Sequence, residues 1–291
     1  MRYHGTVIRP PSEAYSYILQ VTYGCSHNDC TFCGTYLDKP FQTREINQVL
    51  EDIQMAAQMM PDTRRVFLAD GDALALSTRR LIQIIDALKA AFPHLERVGT
   101  YANAQNLLNK SDADLEMLVQ RGLGIVYLGL ESGSDEILSR IHKGATAVEM
   151  LAAVKKAKKA GLLVSIIGIL GIGGPELSEH HANQTGQVVS QMDPDYFSML
   201  TLMLVPGTKL HEQWRIGEFK LLQPDEILGE LSHVIEHANG LTQCTFRTNH
   251  ASNYLPLKGT LPQDKTRLLQ TLDAALARGR DALRPETWRG L

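Results

Sequence analysis

Cysteine is scarce in this chain, with four in 291 residues, and three of the four (Cys25, Cys30 and Cys33) fall within nine positions. A disulfide framework spreads its cysteines along the chain and belongs to oxidising compartments. The clustering therefore predicts a bound metal and a reducing, cytoplasmic setting. An excess of charge is also missing. The formal net charge is −3, so the overall balance offers no attraction for nucleic acid or an anionic membrane, and neither is an expected partner. Long apolar runs are absent as well. The richest, Leu162 to Ile172, carries two glycines and falls well short of the roughly 20 residues a membrane span needs. The opening segment, MRYHGTVIRPPSEAYSY, has no apolar stretch followed by a small-residue cleavage site, so a signal peptide is not expected. No repeat of solenoid length and no low-complexity linker interrupts the chain.

What the chain does have is an alternation. Short β-branched apolar runs are each followed by a longer amphipathic segment, the pattern of a parallel sheet with crossover helices. The predicted strands are Tyr17 to Thr22, Arg65 to Ala69, Val98 to Ala102, Ile125 to Leu130, Leu162 to Leu170 and Tyr196 to Val205. Between them, Glu45 to Met60 carries Ile46, Val49, Leu50, Ile53 and Ala57 at helical spacing. Ser77 can cap a helix running to about Phe92, and Ser111 with Asp114 forms a Ser-x-x-Asp start signal. Helices are also expected over Thr146 to Ala160 and Ser178 to Met192. Beyond Pro206 the rhythm changes. Two helical stretches, Pro224 to His237 and Pro262 to Leu283, flank a run at Leu241 to Phe246 and an irregular segment from Arg247 to Gly259. With 44% hydrophobic residues the chain can build a large core. The division expected is a barrel over 1–210 and a C-terminal extension over 211–291 that packs on it without being an independent domain.

The cysteine loop, Gly24-Cys25-Ser-His-Asn-Asp-Cys30-Thr-Phe-Cys33-Gly34, directly follows the first strand. It therefore sits at the carboxyl end of a parallel sheet, where α/β barrels keep their active sites. Three thiolates can hold three irons of a cubane cluster and leave the fourth iron open for chemistry. A structural zinc site with Cys244 or His27 as fourth ligand is the alternative, although zinc sites usually pair two cysteine knuckles and there is no second one. Cys244 alone reads as a small core residue.

Loop and position together resemble the radical S-adenosylmethionine (radical SAM) superfamily, in a subgroup near the coproporphyrinogen-oxidase-like and methylthiotransferase-like members. The usual pattern is Cys-x3-Cys-x2-Cys, and this chain has four residues between Cys25 and Cys30. The resemblance implies a partial (β/α)6 barrel with a C-terminal mixed α/β cap, and a [4Fe–4S] cluster on Cys25, Cys30 and Cys33. It implies adenine packing near Phe32, with backbone of Gly34 to Tyr36 nearby. Asp70-Gly71-Asp72 stands where the family's backbone meets the SAM amino group. Glu131 and Ser132, in Leu128-Gly-Leu-Glu-Ser-Gly133, stand where a polar residue contacts SAM, and Lys143-Gly144 fits the same subgroup. Gly168, opening Gly-Ile-Leu-Gly-Ile-Gly-Gly174, matches the glycine-rich segment on the adenine side, and Leu204-Val-Pro-Gly-Thr208 closes the sixth strand as in many members.

The implied activity is reductive cleavage of SAM to methionine and a 5′-deoxyadenosyl radical that takes hydrogen from a small-molecule substrate. A one-electron donor such as flavodoxin or ferredoxin is the implied partner. An RNA- or peptide-modifying enzyme would show a basic rim, and a non-catalytic cluster-binding module would need no SAM site. A second cluster is not expected, since only Cys244 is left over. The polar stretch with Arg247, Asn249, His250, Asn253 and Tyr254 is a candidate lid or substrate loop. Elsewhere, Lys155 to Lys159 reads as a solvated helix face, His180 and His181 as surface residues, and Met199 and Met203 as core.

Overall fold

Apolar positions at three- and four-residue spacing become buried helix faces. In a computed structural model describing residues 1–290, Val49, Ile53 and Ala56 form the buried face of α1 (Ile46–Met59). Leu81, Ile84, Ile85 and Leu88 do the same for α2 (Thr78–Ala91), whose N-cap Ser77 accepts from Arg80 N as its sequence position suggests. Each such Val, Leu or Ile side chain contributes about 1.5–3 kcal/mol when fully buried.

In chain order the first strands are β1 (Tyr17–Gln20), β2 (Thr22–Tyr23), β3 (Gln42–Thr43), β4 (Arg65–Ala69), β5 (Arg97–Ala102) and β6 (Leu123–Glu131). The later ones are β7 (Leu163–Leu170), β8 (Tyr196–Thr201), β9 (Cys244–Arg247) and β10 (Lys258–Leu261). The remaining helices are α3 (Ala104–Asn109), α4 (Asp112–Arg121), α5 (Asp135–Arg140), α6 (Ala147–Lys159) and α7 (Gly174–Met192), then α8 (Lys209–Arg215), α9 (Pro224–His237) and α10 (Lys265–Arg278). All six expected parallel strands and their main crossover helices are present.

The chain divides into two units. The first holds residues 1–28, 35–128 and 152–164. Within it β1 pairs parallel with β4, β4 with β5, and β5 with β6, with one register shift at Val98/Gly99. Phe67, Tyr101 and Tyr127 meet edge to face with centroids 5.0–6.2 Å apart, a favourable aromatic geometry. The predicted first strand breaks at Val21, and Thr22–Tyr23 instead pairs antiparallel with β3. Val21 N donates to Ala69 O and its own carbonyl accepts from Arg44, so the chain turns off the main ladder there.

The second unit holds residues 29–34, 129–151 and 165–290. Here β7 pairs parallel with β8, β8 parallel with β9, and β9 antiparallel with β10, while α7 packs along α9. Four expectations change in this unit. The stretch read as irregular from Arg247 to Gly259 is irregular over 248–257, but it is the loop between two paired strands: Arg247 ends β9, and Lys258–Leu261 is a strand whose mixed composition gives no period-two signal. The sixth strand stops at Thr201, beside the end of β7: Leu202 N makes the last bond to it, to Leu170 O, and on the other side Thr201 N donates to the Ser252 hydroxyl. The α7 helix begins at Gly174, four residues early, with Pro175 in its first turn, the position where proline's fixed φ helps. His181 is not a surface residue. It is fully buried, whereas its neighbour His180 is exposed, because the two point about 100° apart around α7. Cys244 and Met199 are core residues as expected, and Met203 is half-buried.

Candidate active site

In the first unit the cysteine loop leaves β2 through Gly24. Its φ is +69°, and a Cβ there would stand 2.2 Å from the Lys39 carbonyl oxygen, so only glycine fits. Cys25 follows, half-buried. Gly71, just past β4, donates its N–H to Gly24 O at 3.2 Å. A Cβ on Gly71 would lie 2.9 Å from the Cys25 Cβ and 2.6 Å from the buried Tyr36 ring. The missing side chain thus lets the end of β4 lie directly against Cys25 and Tyr36.

The two aspartates differ in role. Asp70 is fully buried, and its Oδ2 accepts from Lys39 Nζ at 2.9 Å, Gln20 Nε2 at 3.1 Å and Gly24 N at 3.1 Å. This buried ion pair ties the cysteine loop to the strand end. Asp72 is also fully buried. One oxygen, Oδ2, accepts from the Ser26 hydroxyl and from the side-chain amides of Asn103 and Asn106. The other, Oδ1, has no hydrogen-bond partner. Burial pushes the Asp72 carboxyl up to about 6, against the hydrogen bonds from Ser26 and Asn106. A buried acceptor with an unfilled side costs free energy, and an ammonium group placed there would remove that cost.

In the second unit Cys30 and Cys33 close a turn, with Cys33 N donating to Cys30 O at 3.2 Å. The turn is anchored through Thr31, whose N–H donates to Ile141 O and whose carbonyl accepts from Leu210 N. Phe32 is half-buried, and Gly34 lies so close to Val205 that a Cβ would meet it at 2.3 Å. At the end of β6, Glu131 has φ +61° and its Oε1 accepts from Lys143 Nζ at 2.7 Å. Lys143, noted only as a subgroup marker, is therefore the partner of the candidate SAM contact. Ser132 is fully buried, and its Oγ lies 2.8 Å from His181 Nδ1. The Nε2 of that histidine faces Glu230 Oε1 at 3.7 Å. Burial pushes His181 down to about 4 and Glu230 up to about 7. Gly168 lies in β7 beside Met199 and near the Glu131 carbonyl.

The candidate lid residues fall into place unequally. Arg247 sits in β9 with its guanidinium 6.0 Å from the Tyr196 ring centre. Asn253, almost wholly buried, accepts from the Thr201 hydroxyl and donates to Met199 O, both at 2.9 Å. His250 Nδ1 lies 2.9 Å from the Ser252 hydroxyl. Asn249 is exposed, and the Tyr254 hydroxyl donates to Glu286 at 2.8 Å.

Sequence reading missed Ser26, Lys39, Asn103, Asn106, His181 and Glu230. The two asparagines follow β5, so their place at a strand end was the available signal. Among the described residues no three His, Cys, Asp or Glu side chains are already gathered around one point as ligands for a single metal ion. A cubane takes one thiolate per iron, and three half-buried soft donors on one loop suit it.

The sequence profile of the radical SAM superfamily matches residues 19–185. The chain is 29% identical over 197 residues to an uncharacterized methyltransferase of Pyrococcus horikoshii, covering 67% of this chain and 41% of that one. It is 20% identical to the heme chaperone HemW of Bacillus subtilis, over 72% and 56% of the two chains. It therefore spans about half the length of these relatives. Among solved structures, coproporphyrinogen III oxidase from Escherichia coli superposes with a TM-score of 0.59 at 16% identity, over 78% of this chain and 53% of that one. Methylornithine synthase superposes at 0.55 and 16% identity, over 92% and 85%. The fold, mixed α/β with mostly parallel strands, is that of these barrel-type proteins. No helix among the described residues is long and apolar enough to cross a membrane. The chain belongs to the radical SAM superfamily.

Proposed function

We propose that Cys25, Cys30 and Cys33 hold the cluster, that Asp72 and the Gly71 backbone hold the amino end of SAM, and that the substrate is a small molecule. When bound, the cluster and SAM supply a 5′-deoxyadenosyl radical for hydrogen abstraction. The observation that carries the assignment is the strand end packed against Cys25, where the buried Asp70 and Asp72 each leave Oδ1 without a hydrogen-bond partner.

The chain's own residues have separable tasks in this reading. Lys39 and Asp70 fix the loop that carries the cysteines. Ser26, Asn103 and Asn106 saturate one oxygen of Asp72 and so aim the other. Lys143 compensates Glu131 and holds its carboxylate in one orientation for a ribose hydroxyl or the ammonium of SAM. Phe32 offers an apolar face to adenine. The net charge of −3 supports a small substrate over RNA. The electron donor, of the flavodoxin or ferredoxin kind, would dock where the cluster lies nearest the surface.

The test is anaerobic reconstitution with iron and sulfide, then addition of SAM and dithionite, with Cys30→Ala in parallel. Cluster-dependent 5′-deoxyadenosine from the parent and none from Cys30→Ala is the expected result. Full iron loading and deoxyadenosine formation by Cys30→Ala would remove Cys30 from the ligand set.

A further inference from the structure

The second unit holds a cavity of about 500 Å³ at the carboxyl ends of β7 and β8, reached from Gly171 on one side and Thr201 on the other. That volume is within the range of small-molecule sites, and strand carboxyl ends are where α/β sheets hold ligands. Apolar wall is supplied by Leu202, Leu222, Ile227 and Leu283.

The polar part of the lining is unbalanced. Arg280, Arg284 and Arg289 contribute three guanidinium groups, and Glu286 is the one carboxylate among the lining residues. Arg289 is neutralised, with Nη1 donating to both oxygens of Glu286 at 2.7 and 2.8 Å. Arg284 has no carboxylate partner among the described residues: its side-chain hydrogen bonds all leave from Nη1, to the carbonyls of His250, Ala251 and Asn253 at 2.9–3.2 Å. Main-chain carbonyls orient a guanidinium without cancelling its charge. The Arg280 guanidinium has no hydrogen bond or ion pair among the described residues, and the residue is exposed along the cavity. Two uncompensated cations therefore border an apolar hollow, and one of them is held in place by three bonds.

We propose that this cavity is a binding site for a small organic acid, with its carboxylate toward Arg280 and Arg284 and its apolar body against Leu283 and Ile227. A planar guanidinium fork matches a carboxylate bidentately. Bare inorganic phosphate would leave the leucine and isoleucine wall unused. Tyr254, a candidate substrate residue from its sequence position, lines the same cavity.

The site is tested on the full chain without cluster or SAM, so its failure leaves the radical assignment untouched, and the reverse also holds. Isoleucine and leucine methyl resonances are followed by NMR while sodium hexanoate, 1-hexanol or sodium phosphate is added. Hexanoate is expected to shift the Ile227 and Leu283 methyls saturably, and Arg280→Gln, an exposed change that leaves the fold intact, is expected to weaken it about tenfold. Hexanol should bind more weakly and be indifferent to Arg280→Gln. Three results would overturn the proposal: no shift at these methyls, equal hexanoate affinity in Arg280→Gln, or phosphate binding as tightly as hexanoate.

Discussion

Single atoms decide how the cysteine loop meets the strand ends. Gly71→Ala places a methyl group 2.9 Å from the Cys25 Cβ and against the Tyr36 ring, so loop and strand must part. A loss of about 1–3 kcal/mol is expected from overpacking, together with lower iron loading after reconstitution. Urea unfolding and iron analysis check the two effects separately. The buried His181–Glu230 pair gives a second prediction, from opposite shifts. Glu230 keeps its proton in the fold at pH values where the unfolded chain has released it. Its contribution to stability is full below pH 4.5 and is lost as pH rises through about 7. His181 stays neutral in the fold, so its contribution is full above pH 6.5 and is lost as pH falls through about 4. Relative to the parent, Glu230→Gln should gain about 1 kcal/mol per pH unit as pH rises across the first window. His181→Asn should gain similarly as pH falls across the second. Urea midpoints measured from pH 4 to 8 would settle the matter, and parallel profiles for all three proteins would mean that neither group is perturbed.

At the scale of elements, start signals were legible and short pairings were not. The Ser111–Asp114 capping box is formed in full, with Asp114 N donating to the Ser111 hydroxyl at 3.1 Å. Ser111→Ala should therefore cost about 0.5–2 kcal/mol, read from thermal unfolding, and Asp114→Ala should cost a similar amount. A capping box is local, built by residues three apart, and so it is written in the sequence. The β10 strand is the opposite case. Lys258-Gly-Thr-Leu261 has no strand pattern of its own, and becomes one because β9 offers an antiparallel edge. Likewise the N–H of Thr201, at the end of β8, is taken by Ser252, 51 residues later.

For the whole molecule, ligand linkage gives the broadest prediction. SAM that binds only the folded, reconstituted chain should stabilise it by about 2.7 kcal/mol at a hundredfold excess over its dissociation constant. The thermal midpoint should rise by a few degrees. The rise should shrink strongly in Asp72→Asn, which removes the anionic character of the unpartnered oxygen while keeping an acceptor for Ser26 and Asn106. An undiminished rise in Asp72→Asn would take Asp72 out of the SAM site. The low net charge adds that activity on a small substrate should be nearly flat between about 50 and 200 mM salt, where phosphate-backbone binding falls steeply.

The cysteine loop, the strand-and-helix alternation and the polar residues after β4 and β6 could all be read in the chain, because each is set by neighbours in sequence. Periodicity is a local property, and so is a loop that follows a strand. What only the tertiary structure decided is which polar groups satisfy one another. Lys39 with Asp70, Asn103 and Asn106 with Asp72, and His181 with Ser132 lie between 31 and 49 residues apart. The cavity with two uncompensated arginines joins β7, β8 and the last residues of the chain. Burial and long-range partnership arise when strands align, and no local pattern encodes them.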